Sequence, residues 1–89
     1  DNNGGGIFST LAHRGSDGFE SIFGTPHNLD LAAIAKALNI KTSSVNSVDQ
    51  LQKELSAPIE GIRVVIADMP DRESNADLIK QVHSSLQKI

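Results

Sequence analysis

The run Ile62-Arg63-Val64-Val65-Ile66-Ala67 constrains this chain more than any other feature. It is β-branched and nearly continuous in apolar character, the pattern of a strand covered on both faces, with Arg63 as a charged interruption near one end. Strands of that kind belong to parallel sheets with helical crossovers, and the flanking sequence contains helices. Asp30 is suited to cap a helix over 31–39, in which Leu31, Ile34, Ala35 and Leu38 share an apolar face. Thr42 to Val45 reads as a short strand. Ser47 and Gln50 have capping-box spacing ahead of a buried stripe of Val48, Leu51 and Leu55, and Pro58 and Gly61 end that helix. After Pro70, Ser74 and Asp77 suggest another cap, and Leu78, Val82, Leu86 and Ile89 stripe a last helix. The expected fold is therefore α/β, a parallel sheet flanked by helices. One buried strand cannot make a sheet, so a further strand ending where this chain starts is expected.

The 89 residues allow one small domain or part of a larger one. A net charge of −3 and the absence of a basic stripe argue against nucleic acid as a partner. With no cysteine, neither a disulfide nor a thiolate metal site can staple the fold, and cysteine-free composition fits a cytoplasmic protein. No apolar run approaches the ~18–20 residues of a membrane span, so no integral membrane segment is expected. The opening Asp1-Asn2-Asn3-Gly4 is turn chemistry without an initiator Met, which suggests a cut inside a longer protein.

The chemistry concentrates at the front. The first 28 residues hold six of the seven glycines, two of the three histidines and every phenylalanine, whereas 29–89 read as regular scaffold. Residues 1–28 are thus expected to be a cofactor- and metal-binding loop region, and 29–89 the remainder of the same partial domain. In Asp1-Asn2-Asn3-Gly4-Gly5-Gly6-Ile7-Phe8, asparagine amides and a main-chain carbonyl offer oxygens to a hard cation, and glycines let backbone amides approach phosphate oxygens. That suits a Mg²⁺-bridged diphosphate; a plain Asn-Gly turn fits the same residues.

The remaining candidates carry weaker signals. His27, after Thr25-Pro26, either faces a substrate or bonds locally. His13 and Arg14 lie in a Gly/Ser-rich stretch that could close over a site, with Arg14 meeting a substrate carboxylate or remaining a solvated loop residue. His83 reads as surface. No two histidines share metal-ligand spacing with a carboxylate, and Ser9 lacks a nucleophile elbow, so zinc and serine-hydrolase chemistry are not expected. Asp68, Asp71, Glu73 and Asp77 fit a strand-end loop and a helix N-terminus better than a cation site.

Asn2-Asn3-Gly4-Gly5 resembles the second half of the thiamine diphosphate motif. The longer string Asn2 to Ser9, together with Ile22-Phe23-Gly24-Thr25-Pro26-His27 followed by Asp30 and an Ala-rich helix, is similar to the SEPHCHC synthase (MenD) subfamily of menaquinone biosynthesis. The resemblance runs across essentially all 89 residues and would place them at the C-terminal end of a pyrophosphate-binding domain. It implies that the Asn2 side chain and the Gly4 main-chain carbonyl are ligands of Mg²⁺ or Mn²⁺, with Asp1 or Asn3 as alternatives. Asn3, Gly5 and Gly6 would line the thiamine diphosphate, and Ile7 and Phe8 would form an apolar wall near its thiazolium. No catalytic residue falls in the chain. The implied parent is a cytoplasmic transferase, a homodimer or tetramer, that decarboxylates 2-oxoglutarate and adds the succinyl carbanion to isochorismate. The metal-binding Asp of the upstream half-motif and the Glu that activates the cofactor lie elsewhere, so no turnover is expected of the 89 residues alone. Another thiamine diphosphate carboligase or decarboxylase, and a non-catalytic anion-binding α/β module, are the rival readings.

Overall fold

The computed structural model describes residues 1–88, and Ile89, the last member of the expected C-terminal stripe, lies outside them. The chain forms two compact units: Asp1 with Leu29–Met69, and Asn2–Asn28 with residues 70–88.

The first unit is the α/β layer. Helix α1 spans Leu31–Ala37, and the Asp30 carboxylate accepts the Ala33 amide at 2.9 Å, as its cap position predicts. The helix stops two residues earlier than expected because Asn39 takes a left-handed φ of 59°. Strands β1 (Lys41–Val45) and β2 (Arg63–Ala67) pair in parallel, with Lys41 opposite Arg63 and Val45 opposite Ala67. Helix α2 (Val48–Ser56) is the crossover between them. The Ser47 hydroxyl accepts the Gln50 amide at 3.2 Å, and Gln50 Oε1 accepts the Asn46 amide at 2.9 Å, one residue ahead of the position a capping box would use. Ala57 is extended, as a residue before proline must be, and the helix ends there.

Two burial expectations are overturned. Of β2, only Ile66 is buried, because within this unit α1 covers one face while α2 packs against β1. In α2, Val48 and Leu55 are 78% and 62% exposed and only Leu51 is half-buried, so its stripe is not a core face within this unit. The unit's core is small: Ala35, Val45 and Ile66.

Asp1 continues the layer. Its amino group donates to the Ala67 carbonyl at 2.6 Å and its carbonyl accepts the Met69 amide at 2.9 Å. These two bonds flank Asp68 and have the pattern of a parallel ladder. Asp68 itself donates to Val45 on β1, so Asp1 occupies the opposite edge of β2. Asp1 stands at the position of a third parallel strand.

The second unit pairs the front segment with helix α3 (Arg72–Gln87). Asp71, not Ser74, caps α3: its carboxylate accepts the Ser74 amide at 2.7 Å. The helix begins earlier than the expected cap because Asp71 directly follows Pro70 and is extended, with ψ 165°. Its inward face also differs. Arg72 and Ala76 are buried and Ile79 is half-buried, whereas Leu78, Val82 and Leu86 are exposed. Residues 72, 76 and 79 are one helical face, and it is the one that carries the ion-paired Arg72 and packs on the 3-10 helix Ile7–Thr10.

The Asp71 cap makes a pH prediction. The Ser74 backbone and side-chain hydrogen bonds hold the carboxyl below its ordinary value. A lowered folded-state pKa means the cap stabilises α3 above the unfolded-state value and loses that contribution as pH falls through the folded-state value. Asp71→Ala is therefore expected to be less stable than the parent chain near neutral pH, with the gap closing as pH falls through the lowered folded-state value. Urea denaturation of both chains across an acid series checks this.

A glycine-asparagine loop strapped to a second motif

Residues 2–6 form a bend built from their own side chains. Asn2 Oδ1 accepts the Gly4 amide at 3.2 Å, an Asx turn that folds the side chain over its loop. Asn3 is left-handed, with φ 64°, and both ends of its amide are used: Oδ1 accepts the Asn28 amide at 2.7 Å and Nδ2 donates to Asn28 Oδ1 at 2.8 Å. Gly5 donates its amide to the Gly24 carbonyl at 3.3 Å. Together these bonds strap residues 2–6 against 24–28. The two strings that sequence reading singled out, Asn2 to Ser9 and Ile22 to His27, are thereby neighbours.

Gly4 is required by this geometry. Its φ of 152° is unfavourable for any residue with a side chain, and a Cβ would stand 2.7 Å from the Gly24 carbonyl oxygen. Gly5 is exposed and a Cβ there meets nothing within 4 Å, so its backbone is open to an approaching group. Gly6 opens the 3-10 helix, where a Cβ would make ordinary contact with Asn2 Nδ2 at 3.6 Å.

Ile7 is 79% exposed and Phe8 is 43% exposed. Phe8 joins an aromatic cluster with His13, Phe19 and Phe23: the Phe8–Phe23 centroids are 5.2 Å apart and His13 stands edge-on to Phe23 at 4.6 Å. The cluster takes every phenylalanine in the chain, and it makes His13 a packed member of a small aromatic core. His13 and Arg14, the two residues of the stretch that could close over a site, are both engaged within this unit. Arg14 is held by Asp77, with Nη2 to Oδ1 at 2.9 Å, and lies 3.7 Å from Glu73 Oε2. His27 and His83 are exposed, His83 as expected for a surface residue.

Sequence reasoning missed Glu20 and Arg72. The Arg72 guanidinium forms a two-pronged pair with Glu20, Nη2 to Oε2 at 2.5 Å and Nη1 to Oε1 at 3.3 Å, with the arginine side chain only 8% exposed. Gly24 makes room for it, since a Cβ there would collide with the guanidinium. No local motif marks residues 52 apart as partners, although a glycine at the end of the π-helical turn Glu20–Gly24 was a visible hint. The pair borders a cavity of about 220 Å³ lined by Asn2, Asn3, Glu20, Asp71, Arg72 and Glu73. Removing Glu20 strands a buried cation. Glu20→Ala is expected to lose about 1–3 kcal/mol in urea denaturation, the lower part of the range for losing a buried partner because Glu20 is half exposed. Glu20→Ala/Arg72→Met, which removes both charges, recovers part of that loss.

Among the described residues no group of three His, Cys, Asp or Glu could hold a metal ion. The oxygens the loop offers are of another kind, an asparagine amide and main-chain carbonyls, which are hard donors. Among the described residues no helix is long and apolar enough to cross a membrane.

Fold and site together define an α/β layer protein with parallel strands and a strapped asparagine-glycine loop rich in amide and carbonyl oxygens. The chain matches curated proteins named 2-succinyl-5-enolpyruvyl-6-hydroxy-3-cyclohexene-1-carboxylate synthase: at 34% identity in Mycobacteroides abscessus, 38% in Mycobacterium ulcerans and 37% in Mycobacterium tuberculosis, in each case over 94% of this chain. These matches make it a homologue of one segment of that synthase family. It spans 15% of the length of those relatives. No family model matches the chain.

Proposed function

We propose that the chain is the C-terminal part of the pyrophosphate-binding domain of a thiamine diphosphate- and Mg²⁺-dependent SEPHCHC synthase. Residues 1–28 carry the cofactor loop and 29–89 the α/β scaffold of that single domain. The observation that carries this reading is the strap: Asn3 and Gly5 bind Asn28 and Gly24, which joins the two motifs of the synthase resemblance into one loop cluster.

The donor set fits the group. Asn2 Oδ1 and the Gly4 carbonyl would be ligands of Mg²⁺ or Mn²⁺, hard oxygens for a hard ion. Gly5, with open space where a side chain would stand, and Gly6 would let the main chain approach the diphosphate, with Asn3 fixing the bend from behind. Ile7 and Phe8, exposed and apolar, would cover the thiazolium side and keep water away from it. Bound thiamine diphosphate supplies an electron sink for decarboxylation and carbon–carbon bond formation. The residues of this chain bind, orient and exclude water; none donates or removes a proton. In the intact enzyme the substrates would be 2-oxoglutarate and isochorismate, the product an intermediate of menaquinone biosynthesis, and the assembly a cytoplasmic homodimer or tetramer.

Two assays test the reading. The full-length protein, with thiamine diphosphate and Mg²⁺, is expected to consume 2-oxoglutarate only when isochorismate is added in stoichiometric amount. The 89-residue chain under the same conditions is expected to form no product. A full-length protein that turns over neither substrate contradicts the assignment, and synthesis by the 89 residues contradicts the division of labour.

A further inference from the structure

Arg72 is out of place by local rules. It opens helix α3, where the helix dipole favours anions over cations, and its side chain is only 8% exposed. Its pairing with Glu20 does not by itself account for that, because desolvating two charges offsets most of their attraction. Local rules are broken in this way chiefly where a site needs the resulting geometry.

The surroundings of the pair show which geometry. The guanidinium lies so close to the Gly24 backbone that a Cβ there would stand 2.0 Å from Nη1, with Glu20 Oε2 at 3.0 Å. The Glu20 carbonyl also accepts the Thr25 amide at 2.7 Å, so Glu20 holds this arm by main chain as well as through Arg72. Thr25 is left-handed, with φ 44°, a conformation that a β-branched residue keeps only when its neighbours impose it. On the other arm, a Cβ at Gly6 would meet Arg72 Cγ at 3.9 Å and Asn2 Nδ2 at 3.6 Å. Asn2 and Asn3 line the same cavity as the pair. One buried side chain therefore backs both arms of the strap, and the Gly24 residue it holds supplies the carbonyl that accepts the Gly5 amide.

We propose that Arg72 and Glu20 are positioning residues for the metal loop. The pair fixes Gly24, Gly24 fixes Gly5, and the Asn2 and Gly4 oxygens are thereby held ready for a divalent cation. The proposal rests on the reading of Asn2 and Gly4 as ligands. Neither member of the pair is a ligand itself, so its loss weakens the hold on the metal and leaves the chemistry of the filled site in place.

The test is Mn²⁺ binding to the full-length protein with saturating thiamine diphosphate, read from the EPR signal of free Mn²⁺, beside urea denaturation of the same variants. Glu20→Ala is expected to raise the Mn²⁺ dissociation constant at least fivefold. Glu20→Ala/Arg72→Met, which regains part of the lost stability, is expected to regain none of the affinity, because no guanidinium then lies behind Gly24. For both, kcat at saturating Mg²⁺ is expected to stay within threefold of the unmodified enzyme. Asp77→Ala, which frees Arg14 from the same helix, is expected to leave the dissociation constant within twofold. Affinity that returns in step with stability in the double variant, or that falls as far in Asp77→Ala, overturns the positioning role. An unchanged dissociation constant in Glu20→Ala does the same. If Glu20→Ala does not fold, Glu20→Gln, which keeps the shape and one acceptor oxygen, takes its place with a threefold rise expected. Asn2→Ala separates this proposal from the reading beneath it. Mn²⁺ weakened by Asn2→Ala but not by Glu20→Ala overturns the pair alone, whereas Mn²⁺ indifferent to both overturns the ligand reading and the pair with it.

Discussion

Gly4→Ala is expected to destabilise the second unit by about 2–3 kcal/mol, whereas Gly5→Ala, one residue on, changes stability by less than about 0.5 kcal/mol. The contrast follows from backbone geometry alone. Gly4 sits at φ 152°, a region nearly reserved for glycine, and an added Cβ would press to 2.7 Å from the Gly24 carbonyl oxygen. That oxygen is main chain and also accepts the Gly5 amide, so it cannot withdraw without breaking the strap. At Gly5 a Cβ meets nothing within 4 Å. Urea denaturation of the two variants beside the parent chain measures the difference directly. Equal stabilities would mean the loop does not approach residues 24–28 as described.

The second large effect belongs to the proposed enzyme. Asn2→Ala in the full-length protein is expected to lower kcat/KM about 100-fold at limiting Mg²⁺, close to 2.7 kcal/mol of transition-state stabilisation, with partial recovery as Mg²⁺ is raised. Asn3→Ala should behave differently. Both ends of the Asn3 amide are spent on Asn28, so its loss should lower stability and leave the Mg²⁺ dependence of the folded enzyme in place. Steady-state kinetics over a Mg²⁺ series separates the two. Identical Mg²⁺ profiles for Asn2→Ala and the unmodified enzyme would remove Asn2 from the metal.

The layer was legible because its signals are local. A capping aspartate ahead of an apolar stripe, a serine three residues before a glutamine and a β-branched run each fix one element from a few neighbours, and α1, α2, β1 and β2 fall where those residues put them, within two residues. Burial was less legible because it depends on which elements meet. The stripe Leu78, Val82 and Leu86 is a sound helical face, yet α3 turns Arg72, Ala76 and Ile79 inward, where an ion pair with the sequence-distant Glu20 holds Arg72. The site divides the same way. The loop residues announced themselves by type and spacing, while the Asn3–Asn28 and Gly5–Gly24 bonds and the aromatic role of His13 arise from contacts across the fold that no short pattern encodes.

The most direct measurement is a crystal structure of the full-length protein with thiamine diphosphate and Mg²⁺ bound. Asn2 Oδ1 and the Gly4 carbonyl oxygen are expected in the metal's coordination sphere, at about 2.0–2.1 Å. A coenzyme-bound metal ligated by neither oxygen would contradict that expectation.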